Sequence, residues 1–134
     1  MNAMKLALTG LVLLIVVLGL GFAWGASGRT AAQDALDGLH QQLDVAQARG
    51  AILDARVSLY NVNFGEAQRQ LEEARTPLTR ARDRAQKDGK RAAADAFSNA
   101  LAKIQEAQGL AAKLDQGANS RAGEALRAIE TATK

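Results

Sequence analysis

The sequence predicts an all-α protein in which one N-terminal transmembrane helix is followed by an antiparallel, Ala-rich helical bundle. Two observations predict it. Residues 6–28 carry no charge, and residues 27–134 contain 25 alanines together with many Gln, Arg, Glu and Asp residues. Ala is the strongest helix former, and residue types that favour strands are scarce in this second region. We therefore expect a membrane anchor at 1–26 and a helical bundle domain at 27–134.

The anchor prediction depends on the apolar run from Leu6 to Trp24, 19 residues interrupted only by Thr9 and a few glycines. A helix of this length is about 28 Å long, close to the ~30 Å hydrocarbon core of a bilayer. Lys5 and the N-terminus flank one end, whereas the first charges beyond the other end sum to −1. The positive-inside rule then places the N-terminus in the cytoplasm. We expect a bacterial inner-membrane protein with an extracytoplasmic, periplasmic bundle.

A cleaved signal peptide is the alternative interpretation of the same segment. Ala23 and Gly25 are small residues that suit a cleavage site after a positive N-terminal region, although the apolar run is longer than in usual signal peptides. Cleavage there would release a secreted helical protein. In an intact anchor, Gly21 and Gly25 have the GxxxG spacing that allows two membrane helices to pack closely.

The first bundle helix is predicted at about residues 30–61 from an unbroken alternation of four- and three-residue steps. This spacing is typical of the heptad seam along which a helix packs on another helix. The predicted seam comprises Ala32, Leu36, Leu39, Leu43, Ala46, Gly50, Leu53, Val57 and Tyr60.

Three further helices follow the same rule, at about 64–87, 91–114 and 118–133. The second is expected to continue through Pro77 with a kink, because its seam keeps register from Ala74 to Leu78. The alternative is a new helix that begins at Thr76-Pro77. The remaining seam residues are Phe64, Ala67, Leu71, Ala81 and Ala85 in the second helix, Ala93, Phe97, Ala100, Ile104, Ala107, Ala111 and Leu114 in the third, and Ala118, Ala122, Ala125, Ile129 and Ala132 in the fourth.

The connections between these helices are short and rich in Asn, Asp and Gly, at residues 61–63, 87–90 and 115–117. Such turn residues join neighbouring antiparallel helices, so we expect an up-down-up-down bundle with a shortened fourth helix. Large and small residues alternate along the seams, which allows close backbones but leaves a thin core. Self-association with a second copy is therefore expected to contribute to stability.

Residues 55–74 resemble a tetratricopeptide repeat in the offsets of their small, aromatic and large residues. The pattern around Phe64, Ala67 and Leu71 recurs partially at 97–107 and 123–132. This resemblance implies helical hairpins with a concave groove that binds a peptide, with Tyr60 and Arg69 as groove residues to test.

Residues 75–91 form a basic segment with a net charge of +5, whereas residues 27–74 carry −3. The candidate patch comprises Arg80, Arg82, Arg84, Lys87, Lys90 and Arg91. An antiparallel second helix would return this end towards the membrane, where the patch would meet anionic lipid headgroups. An acidic protein partner is the alternative, and so is a structural role at the helix C-terminus.

The composition also excludes classes of chemistry. The chain has no cysteine and one histidine, His40, which follows the seam residue Leu39 and is expected to face solvent. No phosphate loop, calcium loop or catalytic triad can be assembled, so we expect neither an enzyme nor a cofactor or metal site. Nucleic-acid binding is not expected, because interleaved aromatic residues are missing.

The sequence therefore predicts a single-pass, membrane-anchored helical interaction or scaffolding protein. It acts by binding a protein partner or by forming a homo-oligomer. A tetratricopeptide-like adaptor that binds peptides and a secreted helical protein are the two alternatives.

Overall fold

The computed structural model describes the backbone of residues 3–134 and the side chains of residues 14–17 and 30–134. This backbone forms the helices α1 (Ala3–Tyr60), α2 (Phe64–Lys87), α3 (Arg91–Ala112) and α4 (Gly117–Ala132). No strand occurs within it, and the predicted all-α class is confirmed. The chain divides into two compact units, Met1–Leu39 and His40–Lys134.

In the first unit, the backbone is helical from Ala3 onward, and Leu14–Val17 are exposed apolar residues. Among the described residues, no helix is long and apolar enough to span a membrane. Most side chains of the predicted anchor at 1–26 lie outside the described residues.

The bounds of α2, α3 and α4 lie within two residues of the helices expected from the heptad spacing. α2 continues through Pro77, which is buried, so the interpretation as one long helix is confirmed. Its N-terminus is capped by Asn63, whose Oδ1 accepts a hydrogen bond from the Glu66 backbone N–H at 3.3 Å. This side chain satisfies one of the donors that the first helical turn leaves free.

In the second unit, each helix runs antiparallel to the next, and α4 returns to α1. The Gln108 side chain of α3 donates to Glu72 of α2 at 2.9 Å. The last helix contacts the first through Arg56, whose Nε donates to Asn119 Oδ1 at 2.8 Å. Arg49 and Glu130 form a second α1–α4 contact at 3.6 Å. The earlier residue of α1 thus contacts the later residue of α4, so these two helices run antiparallel. The second unit is therefore an up-down-up-down bundle.

The core of this bundle follows the predicted seams of α2, α3 and α4. All seven predicted α2 residues from Phe64 to Ala85 are buried, and so are most of those in α3 and α4. Its largest fully buried side chains are Phe97, Ile52, Leu59, Leu71, Leu78, Ile104 and Ile129.

The ends of two seams differ from the prediction. Leu114 is 69% exposed, because α3 ends at Ala112 and Leu114 adopts a left-handed φ of 57° in the following turn. Ala93 and Ala132 are only partly buried. A residue beyond the last helical turn no longer follows the helical period, so the seam could not be extended to Leu114.

The prediction that this seam of α1 packs in the bundle is wrong. Its residues Leu36, Leu39, Leu43, Leu53, Val57 and Tyr60 are between 49% and 81% exposed. The buried residues of α1 are instead Asp44, Val45, Ala48, Ile52, Ala55 and Leu59. Relative to the predicted seam, these residues occupy heptad positions on nearly the opposite side of the helix.

The reason is that α1 carries two apolar series with the same helical period, and spacing alone does not choose between them. The buried series brings Asp44 and Gln41 against α2, where Asp44 accepts from Arg80 and Gln41 donates to the Ala81 carbonyl at 3.1 Å. Ser58 donates to Gln70 on the same side at 2.8 Å. These hydrogen bonds can form only when this face of α1 is turned towards α2.

Candidate interaction surface

The exposed apolar side of α1 is the main surface feature of the second unit. We call Leu43, Ala46, Gly50, Leu53, Val57 and Tyr60 the α1 stripe. The side chains of Leu43, Val57 and Tyr60 are 54%, 61% and 81% exposed, and Leu53 is 49% exposed. Exposed leucines in isolation are ordinary, but a row of large apolar residues along one helix face indicates an interaction site.

In the first unit, Leu36 and Leu39 are 54% and 61% exposed. Together with Ala32 they continue the alternation of four- and three-residue steps of the α1 stripe along the sequence. The heptad pattern therefore runs without a break from residue 32 to residue 60.

The residues beside the stripe have the polar character of coiled-coil flanks. If Leu43, Gly50 and Val57 are assigned to heptad position a, then Arg49 and Arg56 occupy position g and Asp54 occupies position e. Asp54 is exposed and forms no ion pair within residues 30–134. Arg49 contacts Glu130 at 3.6 Å through side chains that are 43% and 52% exposed, so its charge stays accessible to solvent.

Two arginines of the predicted basic patch serve the bundle itself. Both Nε and Nη2 of Arg80 donate to Asp44 Oδ1, at 2.9 and 2.7 Å. Arg84 Nη1 donates to Asp44 Oδ2 at 2.9 Å and to Gln41 Oε1 at 3.1 Å. With Asp44 only 5% exposed, these contacts neutralise a buried carboxylate between α1 and α2.

The electrostatics of this cluster favour the ionised carboxylate. Burial by itself raises the pKa of Asp44, but the hydrogen bonds and charges of Arg80 and Arg84 outweigh it and hold this pKa below its ordinary value. The same contacts raise the pKa of Arg80, chiefly through its hydrogen bond to Asp44. The cluster is therefore a network of ion pairs that joins α1 to α2.

The other members of the predicted patch lie on the surface. Arg82 pairs with Asp83 at 2.7 Å, and Lys90 lies 3.6 Å from Asp88. Lys87 and Arg91 are exposed and have no ion pair in the part of the chain whose side chains are described. Binding of anionic headgroups or of an acidic partner by this segment stays a prediction.

A second charged network joins α3 and α4. Arg121 contacts Glu106 at 3.2 Å and Glu124 at 2.8 Å, and Lys103 bonds to Glu106 at 2.9 Å. The Arg121 hydrogen bond lowers the pKa of Glu124. An open groove of about 290 Å³ lies beside this network, lined by Asn99, Lys103, Glu124, Arg127, Ala128 and Thr131. Lys103 and Glu124 pair at 3.6 Å in this groove, whereas Arg127 forms no ion pair within residues 30–134, so the lining carries one positive charge in excess.

Two sets of predicted residues can be placed only in part. The surroundings of Gly21 and Gly25, the predicted membrane-helix packing residues, lie outside the described residues. The groove residues implied by the tetratricopeptide resemblance are exposed, but Tyr60 belongs to the α1 stripe and Arg69 pairs with Glu66 and Glu73 of its own helix. The resemblance itself stays a prediction.

The polar cluster around Asp44 was not predicted from the sequence. The sequence feature that could have predicted this cluster is the second apolar series of α1, from Val45 to Leu59, which has Asp44 at its edge. Arg80 and Arg84, four residues apart on α2, supply the matching charges on a single helix face.

No protein-family model, curated protein or solved structure matches the chain.

Proposed function

We propose that the protein is a helical interaction protein, and that the α1 stripe is the surface on which it binds a helix of another polypeptide. The observation that supports this most is the exposure of four large apolar residues in heptad positions on one helix face. The bundle is held together by the opposite face of α1, so its own packing does not account for the stripe.

The energetics support a binding role. Fully burying a Leu or Val side chain contributes about 1.5 to 3 kcal/mol. Burying the exposed large residues of the stripe against a partner would therefore contribute several kcal/mol to the free energy of binding. An amphipathic helix laid along the stripe would recover this energy through contacts with residues that repeat every three and four positions. A small ligand would contact only part of such a long, shallow surface.

Replacing Leu43 and Leu53 together with lysine should abolish this binding and leave the bundle folded. Both side chains are exposed, so two charges there disturb no core contact and instead prevent an apolar helix from docking. Photo-crosslinking from position 57 in intact cells, read by mass spectrometry, reports the binding, and circular dichroism reports the fold.

The matched control carries lysine at Ala102 and Gln105, two exposed positions of α3. It adds the same charge and should keep the wild-type crosslinks. The proposal fails if the stripe variant also keeps them, or if no crosslink forms from position 57 in the wild-type chain.

We also propose that the N-terminal segment holds the protein at a membrane, with the N-terminus in the cytoplasm and the bundle on the extracytoplasmic side. The support comes from the sequence, where residues 6–28 are uncharged and the apolar run from Leu6 to Trp24 has a length that matches the bilayer core. The sites of action would then be confined to one membrane surface, which raises the local concentration of chains and favours weak helix pairing.

In bacterial cells, we expect the intact chain, with its N-terminal peptide, to stay in the membrane fraction after alkaline extraction and to dissolve only in detergent. Fractionation followed by mass spectrometry of that peptide measures this. Recovery of a soluble chain that begins after Gly25 would instead support the secreted alternative.

A further inference from the structure

We infer that the partner bound by the α1 stripe is α1 of a second copy of this chain, packed parallel and in register. This inference rests on the proposed function of the stripe and names its occupant. The resulting dimer is a two-stranded parallel coiled coil with one bundle on each outer side.

The length and regularity of the heptad pattern support pairing with an identical helix. The alternation from Ala32 to Tyr60 covers nine consecutive positions without a stutter. A partner helix must have the same unbroken period to match every layer, because any stutter shifts the partner out of contact. A second copy of α1 meets this requirement by identity.

The charges beside the stripe favour the parallel orientation. In a parallel pair, a g residue lies beside the e residue of the following heptad on the other helix, which brings Arg49 beside Asp54 of the partner subunit. Two-fold symmetry creates this attractive pair twice. In an antiparallel pair the g flanks face each other, so Arg49 and Arg56 would meet arginines of the partner subunit. Asp54 also has no competing ion pair within residues 30–134.

The middle of the stripe allows the two helices to approach. Ala46 and Gly50 are small, and a Cβ built on Gly50 has no neighbouring heavy atom within 4 Å. In the parallel register these small layers lie between the leucine layers of positions 43 and 53, and each layer meets its own copy. Small central layers permit a short distance between helices, and the flanking leucines close the ends.

A single introduced cysteine distinguishes the orientations, because the chain has no cysteine of its own. Ala46→Cys in the full-length protein, in mild detergent, should form an intermolecular disulfide rapidly on mild oxidation. In the parallel register the two Cα atoms at this position face each other within the ~4.4 to 6.8 Å span of a disulfide. Ala102→Cys, exposed on α3, is the control and should stay reduced under the same conditions.

Charge reversal gives an independent test. Arg49→Asp places like charges at both Arg49–Asp54 pairs and should weaken dimerisation about tenfold in sedimentation equilibrium. Adding Asp54→Arg to the same chain should restore it. Circular dichroism of each variant verifies the bundle, because Arg49 also contacts Glu130.

The inference is overturned if Ala46→Cys crosslinks no faster than Ala102→Cys, or if the double exchange fails to restore dimerisation. Failure of this inference differs from failure of the proposed function. If Leu43→Lys with Leu53→Lys removes crosslinks to a different polypeptide while Ala46→Cys stays monomeric, the stripe binds a helix but its occupant is not a second copy.

Discussion

At the scale of single residues, Asp44 is a buried charged group at the contact between α1 and α2. It is 5% exposed and accepts three hydrogen bonds from Arg80 and Arg84. A carboxylate at this depth is tolerated because both of its oxygens have cationic partners. Gln41 accepts from Arg84 as well and fixes that side chain in place. The cluster therefore sets the register of the two helices as well as their charge balance.

Replacing Asp44 with asparagine should lower the free energy of unfolding by about 1 to 3 kcal/mol at neutral pH, because the hydrogen bonds lose their charge assistance. The folded-state pKa of Asp44 is lowered, so its stabilisation is present above the unfolded pKa of about 3.9 and is lost as the pH falls through the folded value. The difference between wild type and variant should therefore shrink below about pH 4.

Thermal unfolding of the full chain, followed by circular dichroism at about pH 7 and about pH 3, measures both effects. Asp95→Asn is the control, because Asp95 is exposed on α3. An equal loss of stability in both variants at neutral pH would contradict the role assigned to the Asp44 cluster.

At the scale of elements, α1 differs from the other helices because it is apolar on two sides. α2 has one apolar seam, and its seven predicted residues are all buried. In α1, the series from Val45 to Leu59 is buried and the α1 stripe is exposed. A helix with two apolar sides can pack in two places, and in this chain one side packs in the bundle while the other stays exposed.

The turns between the helices also show where helical periodicity stops. Gly89 adopts the left-handed conformation after α2, as glycine commonly does after a helix end, whereas Val62 and Leu114 adopt it after α1 and α3. Val62 is 62% exposed, so its apolar side chain gains no packing in exchange for this unfavourable backbone conformation. A search of the sequence for glycine would therefore predict the left-handed residue after α2 but not those after α1 and α3.

At the scale of the whole molecule, the bundle in residues 40–134 is held together by alanines at close range. Ala67, Ala74, Ala81, Ala100 and Ala107 are fully buried between larger residues. These alanines are fully buried in the same core as Leu71, Leu78 and Phe97, so additional methylene groups at their positions would have little room. The stability of such a core depends on fit more than on the number of apolar atoms.

Replacing Ala100 with leucine should therefore destabilise the protein by about 1 to 3 kcal/mol, although it adds apolar surface to the core. Both residues are good helix formers, so the loss would come from overpacking. Ala102→Leu, on the exposed side of the same helix, should leave stability nearly unchanged. Thermal unfolding of the two variants measures the contrast, and an Ala100→Leu chain as stable as wild type would indicate a loosely packed core.

The sequence by itself determined the all-α class, the bounds of α2, α3 and α4 to within two residues, and most of their buried seams, because short turns and a single apolar face on each helix restrict how these helices pack. It also marked α1 as a heptad helix. Only the tertiary structure decided which side of α1 faces the bundle. Two series have the same period, and the choice depends on partners distant along the chain, namely Arg80, Arg84 and Asn119. The tertiary structure also assigned two arginines of the basic segment to a buried carboxylate, because helix pairing creates that contact.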